Sequence, residues 1–191
     1  KITFAVEGFG NVGQFAAKYL TKDGAKLVAV SDSRGMVCNM KGIDYDDLFN
    51  VKNTEGTVTK YECDMCKESN SILDVKADVL ITAAIKDLVK PADKDRLKFK
   101  LVVQGSNIPM SHETEDELHK KGMLIIPDFV ANAGGVISSY VEFIGGSEED
   151  MWKMVEEKVV VNTKLMLKKI TKHKCPREAA YEIAEERLFG K

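Results

Sequence analysis

The chain has 191 residues, 44% hydrophobic and 30% charged, with a formal net charge of -2, enough for one substantial core. Lys and Arg are interspersed with Asp and Glu, which leaves no basic face for a nucleic-acid backbone. No apolar run approaches the roughly 20 residues of a membrane span, and no leader with a cleavage site opens the chain; a cytoplasmic location is expected, with neither nucleic acid nor membrane as partner.

Residues 1–7, KITFAVE, read as a short, nearly continuous apolar strand, and residues 11–22 put Val12, Phe15, Ala16, Tyr19 and Leu20 on one helical stripe. GFGNVG lies between them. AKLVAVSD then gives a second strand over 26–31 that ends in Asp32. The stretch 33–71 is less regular, with a turn at NMKGID, a short helix at DYDDLFNVKN and a small excursion at GTVTKYE. ADVLITAA, KLVVQGSN and MLIIPDF are apolar runs of the kind buried on both faces of a parallel sheet.

After Pro127, AGGVISSYVEFIG can form a helix, and Ser147 with Asp150 resembles a capping pair opening a long helix from Glu148 to about His173. A last helix starts at Pro176, a favoured first helical position, and runs through REAAYEIAEERL. The pattern predicts an α/β fold, a doubly wound, mostly parallel Rossmann-like sheet with extra C-terminal helices. No repeat or linker divides it, so residues 1–191 read as one domain. The abrupt start in a strand suggests a piece of something longer.

Of Cys38, Cys63, Cys66 and Cys175, only Cys63 and Cys66, in CDMC, have a metal-like or redox-like spacing. One CxxC without a second pair or a nearby His makes at most half of a zinc site, so reduced cysteines near a loop and no metal are expected. His112, His119 and His173 are scattered and read as solvated helix residues.

GxGxxG alone is weak evidence, but here it joins a strand to a helix, and Asp32 ends the next strand 19 residues after Gly13. That context is the dinucleotide fingerprint. Gly8 permits the tight turn, Gly10 lets backbone N–H groups approach a pyrophosphate, and Gly13 lets helix and strand pack closely. The helix N-terminus adds partial positive charge. Asp32 would accept from ribose hydroxyls, which favours NAD; Ser33 and Arg34 follow, and an Arg there can pair with a 2'-phosphate, which favours NADP. Both cofactors stay open.

Asn107 and Asn132 each follow an apolar strand, where open α/β sheets bind ligands. A neutral amide there could bond a nicotinamide carboxamide or ribose, or could serve a turn. Asn132, Val136 and Ser139 are spaced i, i+4, i+7 and would share one face of a helix starting near Asn132. A small polar substrate would suit that face, and so would packing on the sheet.

GFGNVG, LVAVSDSRG, VLITAAI, VVQGSNIP and above all IIPDFVANAGGVISSYVEF together resemble the cofactor-binding domain of the glutamate dehydrogenases, within the glutamate, leucine, phenylalanine and valine dehydrogenase family. The resemblance runs from about Ile2 to Leu188. It implies that Gly8, Gly10, Asn11, Val12 and Gly13 cradle the pyrophosphate, and that Asp32, Ser33 and Arg34 meet the adenosine ribose. Ala83 and Ala84 would line the adenosine side, and Asn107 and Asn132 would contact the nicotinamide ribose and carboxamide. Val136 and Ser139 would bind the glutamate side chain.

The resemblance implies the reversible conversion of L-glutamate, water and NAD(P)+ to 2-oxoglutarate, ammonium, NAD(P)H and a proton. The family's essential lysines and catalytic aspartate belong to an N-terminal substrate domain with a PAGGGKG-like stretch, and this chain has no such stretch. The resemblance therefore implies an isolated dinucleotide-binding half that holds cofactor without turning over. It implies a homohexamer for the full-length enzyme and a monomer or weak dimer for this chain. A leucine- or phenylalanine-type dehydrogenase domain and a non-catalytic NAD(P)-sensing module are the alternatives. Glu7 replaces a commoner glutamine and adds negative charge near the pyrophosphate, and QGSN stands where EGAN is commoner.

Overall fold

The computed structural model describes residues 1–171 and 174–190. Its seven strands are β1 (Thr3–Glu7), β2 (Lys26–Asp32), β3 (Gly35–Cys38), β4 (Met65–Lys67), β5 (Val79–Thr82), β6 (Leu101–Gln104) and β7 (Leu124–Ile126). They form one sheet in the order β4-β3-β2-β1-β5-β6-β7. The five strands from β2 to β7 run parallel, while β3 and β4 add an antiparallel edge. That edge occupies the stretch the sequence left irregular. The helices are α1 (Asn11–Lys22), α2 (Tyr45–Glu55), α3 (His112–Lys120), α4 (Asp128–Ala131), α5 (Gly134–Phe143), α6 (Glu148–Lys169) and α7 (Pro176–Phe189).

Alternate residues of the central strands feed opposite faces. Phe4 and Val6 pack with Phe9, Ala17 and Leu48 on one side, while Ala5 packs with Leu80, Met110 and Leu118 on the other. A third cluster joins Ile126 and Val130 to Met166, Ala179 and Ile183, seating α6 and α7 on the far edge of the sheet. The apolar strands are therefore covered on both sides over most of their length, as their continuous runs predict; Val79, Leu101 and Val103 stay half-buried along an apolar groove of about 470 Å³.

The stripe expected on α1 faces the sheet only in part. Its buried residues are Gly13 and Ala17, with Ala16 and Leu20 packed alongside, while Val12, Phe15 and Tyr19 are exposed. Close approach is the reason. A Cβ on Gly13 would lie 1.8 Å from the Gly8 carbonyl oxygen, so the face nearest β1 must carry the smallest side chains, and the larger apolar ones turn outward.

The helix starts follow their capping residues. The Asp44 side chain accepts from Asp47 N–H at 3.0 Å, and Ser147 with Asp150 forms the expected capping box. α6 stops at Lys169 rather than near His173 because Ile170 is extended (φ -66°, ψ 137°) and packs against the third cluster. The reading of His173 lies outside the described residues. His112 and His119 do fall on α3.

Candidate functional site

β1 is the strand from which the order diverges, with β2 on one side and β5 on the other, and all three are parallel. Crossovers leave in opposite directions there, so the loops at the strands' carboxyl ends part and leave a crevice. A cleft of about 520 Å³ occupies it. Glu7, Gly8 and Gly10 line it from the β1–α1 turn, Asp32 and Ser33 from the end of β2, and Ala83 and Ala84 from the end of β5.

The glycines differ in what they do. Gly8 has φ +89°, and a Cβ on it would sit 2.5 Å from Ala84 Cβ, so the turn and its contact with the β5 loop both require glycine. Gly13 brings α1 onto β1. Gly10 has nothing within 4 Å of an added Cβ; its freedom serves no contact within the chain, only open space at the cleft. Gly10 is also the N-cap of α1, with no side-chain cap and no acidic residue in the first turn. The first N–H groups of a 12-residue helix thus lack a side-chain acceptor, and the helix dipole adds positive potential where they point.

Asp32 is buried and already engaged. Its carboxylate accepts from Lys52 Nζ at 2.7 Å, Val58 N–H at 2.9 Å, Arg34 N–H at 2.9 Å and Thr57 Oγ1 at 3.2 Å. Burial alone would push this carboxyl up, but the Lys52 ammonium and the Val58 and Arg34 amides outweigh it and hold the group below the usual carboxylate range. The Arg34 side chain is exposed and does not line the cleft. Lys52, Ser69 and Asn70 do. No motif marks these three in the sequence; they arrive through the irregular stretch that folds back over the end of β2.

Glu7 ends β1 at 5% exposure. Its Oε2 accepts from Ala83 and Ala84 N–H, each at 3.1 Å. Burial pushes its carboxyl up and these amides offset only part of that, so Glu7 takes a proton more readily than an ordinary glutamate.

A second group of predicted residues lies outside this cleft. Asn132 Nδ2 donates to Asn107 Oδ1 at 2.7 Å, so two residues 25 apart in sequence meet. Asn132 caps α4 and precedes α5 rather than starting it, so it does not continue the helical face of Val136 and Ser139. Both of those side chains are exposed, Val136 at 76%. Asn11 and Val12 occupy the exposed first turn of α1.

The Asn107 loop is held from below. Ile108 has φ +48°, unusual for a β-branched residue, and its N–H donates to Asp128 Oδ2 at 2.9 Å. Asp128 Oδ1 accepts from Arg177 Nη2 at 2.8 Å, and Arg177 also donates to Glu115 and to Gln104 Oε1. Gln104 in turn donates through Nε2 to Glu115 at 2.7 Å. An ionised glutamate at this position could not make that last bond, which explains QGSN physically. Among the described residues no buried side-chain polar atom is left without a partner, and no cluster could hold a metal ion. No helix among them is long and apolar enough to cross a membrane.

Residues 1–189 match the family model described as Glutamate/Leucine/Phenylalanine/Valine dehydrogenase. The chain belongs to this family. It is 42% identical to a glutamate dehydrogenase of Aeropyrum pernix over 198 aligned positions, 98% of this chain and 47% of that protein. Against the glutamate dehydrogenase of Thermotoga maritima identity is 40%, over 81% of this chain and 37% of the relative. The chain thus spans about half or less of the curated relatives it matches. The fold superimposes on the hetero-hexameric glutamate dehydrogenase of Thermus thermophilus in its Leu-bound form with TM-score 0.86 at 24% identity, covering 98% of this chain and 46% of that one. L-tryptophan dehydrogenase of Nostoc punctiforme gives TM-score 0.77 at 26% identity, over 99% and 52%. As a member of the glutamate, leucine, phenylalanine and valine dehydrogenase family, the chain has an oxidoreductase's Rossmann-like architecture, and the family's cofactor is NAD(P).

Proposed function

We propose that the chain is the NAD(P)-binding domain of a glutamate dehydrogenase, acting in the reversible oxidative deamination of L-glutamate to 2-oxoglutarate and ammonium. The observation that carries this is Gly10: an uncapped helix N-terminus beside a glycine with empty space for a Cβ, facing a cleft at the switch point. A pyrophosphate fits that cradle in size and charge. The identity to curated glutamate dehydrogenases favours glutamate over an apolar amino acid.

When bound, NAD(P)+ supplies the hydride acceptor. The chain's own residues bind and orient. The first N–H groups of α1 hold phosphate oxygens, the small Ala83 and Ala84 let the adenosine lie against the backbone, and Ser33 reaches the ribose. Asp32 is neutralised by Lys52 and its acceptor sites are largely used, so the pocket's ribose end does not repel a 2'-phosphate. Lys52 therefore supports NADP as well as NAD. The bonded Asn107 and Asn132 present amides toward the nicotinamide end, while Val136 and Ser139 stand exposed on α5 for the substrate side.

Hydride transfer needs lysines and an aspartate that this chain does not supply, so the isolated chain binds cofactor without turnover and is monomeric or weakly dimeric, whereas the full-length enzyme assembles as a hexamer. Calorimetric titration with NAD+ and with NADP+ at one fixed salt concentration tests the reading. Saturable binding with one site per chain is expected. Absence of heat with both cofactors would remove the proposal, and a stable hexamer in analytical ultracentrifugation would remove the statement on assembly.

A further inference from the structure

The segment 57–69 begins and ends on Asp32. At its start Thr57 Oγ1 and Val58 N–H donate to the Asp32 carboxylate, and at its end Ser69 Oγ donates to the Asp32 backbone carbonyl. Between these anchors lie Cys63 and Cys66, whose Sγ atoms are 3.4 Å apart. Cys66 is exposed in the edge strand β4 and Cys63 is half-buried just before it, whereas Cys38 and Cys175 are buried. The other sulfur contacts of the pair are local: Cys63 to the Met65 carbonyl at 3.2 Å and Cys66 to the Thr59 carbonyl at 3.6 Å.

Metal binding does not account for the pair, since no third His, Cys, Asp or Glu joins it among the described residues. Two thiols this close, on a solvent-facing edge, have a simpler chemistry. A disulfide bond is about 2.05 Å long, so the two sulfurs, 3.4 Å apart, have about 1.4 Å to close, with Cys63 packed against the cluster that holds Val37 and Val58.

We propose that Cys63 and Cys66 are a redox modification site that closes to an intramolecular disulfide by exchange with a small-molecule disulfide of the glutathione type. One protein thiolate attacks the small disulfide, forms a mixed disulfide and releases one small thiol. The second attacks the mixed disulfide at the protein sulfur, forms the Cys63–Cys66 bond and releases the other small thiol. The protein gives up two electrons and two protons, and the oxidant leaves as two thiols. Closure removes both S–H donors, including the contact from Cys66 to Thr59, next to the turn that grips Asp32. Oxidation at the rim is thereby relayed to the Thr57–Val58 anchor, with no cofactor required.

The test incubates the chain in glutathione buffers of stepped redox potential, traps thiols with an alkylating agent, and maps the products by mass spectrometry. In parallel, hydrogen exchange follows the Val58 amide in the reduced and oxidised chains. The expected result is loss of two hydrogens confined to the peptide holding Cys63 and Cys66, free Cys38 and Cys175, and Val58 exchange several-fold faster after oxidation and restored by reductant. In Cys66→Ser the mixed disulfide should persist on Cys63, with Val58 exchange unchanged by oxidant. Mixed disulfides alone in the unsubstituted chain, or reaction at Cys38 or Cys175 first, would overturn the site. A mapped Cys63–Cys66 bond with unchanged Val58 exchange would overturn the relay to Asp32.

Discussion

Lys52 Nζ donates to Asp32 Oδ2 at 2.7 Å, so a cation on α2 sits on the carboxylate that ends β2. The pair is largely shielded, with side-chain exposures of 21% and 6%, and each charge depends on the other for its solvation. Lys52→Met should therefore raise the Asp32 carboxyl toward or above its ordinary range and destabilise the chain by about 1–3 kcal/mol at neutral pH. Asp32 titrates below its unfolded value, so its contribution to stability is complete above that value and is lost as pH falls through the folded one. The variant should lose this acid-side slope, which urea unfolding across a pH series reads directly. If Lys52 also tolerates a 2'-phosphate, NADP+ affinity should fall more than NAD+ affinity.

Glu7 behaves in the opposite sense. Its folded-state carboxyl is raised, chiefly by burial, so between the unfolded and folded values the native chain holds the extra proton and stability falls as pH rises. Below that window Glu7 is protonated in both states. Glu7→Gln should therefore be more stable than the parent at neutral pH and equal to it below about pH 4. Lower stability at neutral pH would mean that Ala83 and Ala84 depend on the carboxylate more than its burial costs. Removing the charge should also tighten cofactor binding in calorimetry.

Gly10 and Gly13 separate binding from folding. An added Cβ at Gly13 meets the Gly8 carbonyl at 1.8 Å, whereas at Gly10 it meets nothing within 4 Å. Gly13→Ala should cost about 3 kcal/mol or more because backbone must shift. Gly10→Ala should cost about 1 kcal/mol or less, through the weaker N-cap, yet weaken cofactor binding strongly. Thermal unfolding and titration of the two variants give the contrast; equal cofactor affinity in Gly10→Ala would contradict a phosphate cradle there.

Arg177 is 6% exposed and holds Glu115, Asp128 and Gln104 together across three elements. Arg177→Met leaves two buried carboxylates without their cation and should destabilise by about 3–5 kcal/mol. Asp128, normally held low despite its burial by the Ile108 amide and Arg177, should then titrate higher. Ile108 depends on Asp128 for its positive-φ conformation, so the Asn107 loop should loosen first. Faster hydrogen exchange at the Ile108 amide, ahead of global unfolding, is the observable.

Much of the fold was legible in local chemistry. Continuous apolar runs declared strands buried on both faces, Gly8, Gly10 and Gly13 declared a strand-to-helix turn, and Ser147 with Asp150 declared the start of α6. The antiparallel edge was not legible. β4 is three residues long and wholly exposed, so it lacks the apolar pattern that marks a strand and exists only because β3 offers it a ladder. The exposed outer stripe of α1 was equally hidden, since apolar spacing says that a face exists but not which face reaches the sheet.

At the site, sequence alone marked the glycines, whose missing Cβ allows a turn or a close approach, and an acidic residue at a strand end. These signals are local and survive any tertiary arrangement. Only the tertiary structure decided what surrounds Asp32, because Lys52, Thr57, Val58 and Ser69 reach it over separations of 20 to 37 residues that no periodicity records. It likewise decided that Asn107 meets Asn132, and that Arg177, through Asp128, fixes the Asn107 loop. Backbone geometry is written in short motifs, whereas the ionisation and pairing of a buried side chain depend on which distant groups the packed sheet brings within hydrogen-bonding reach.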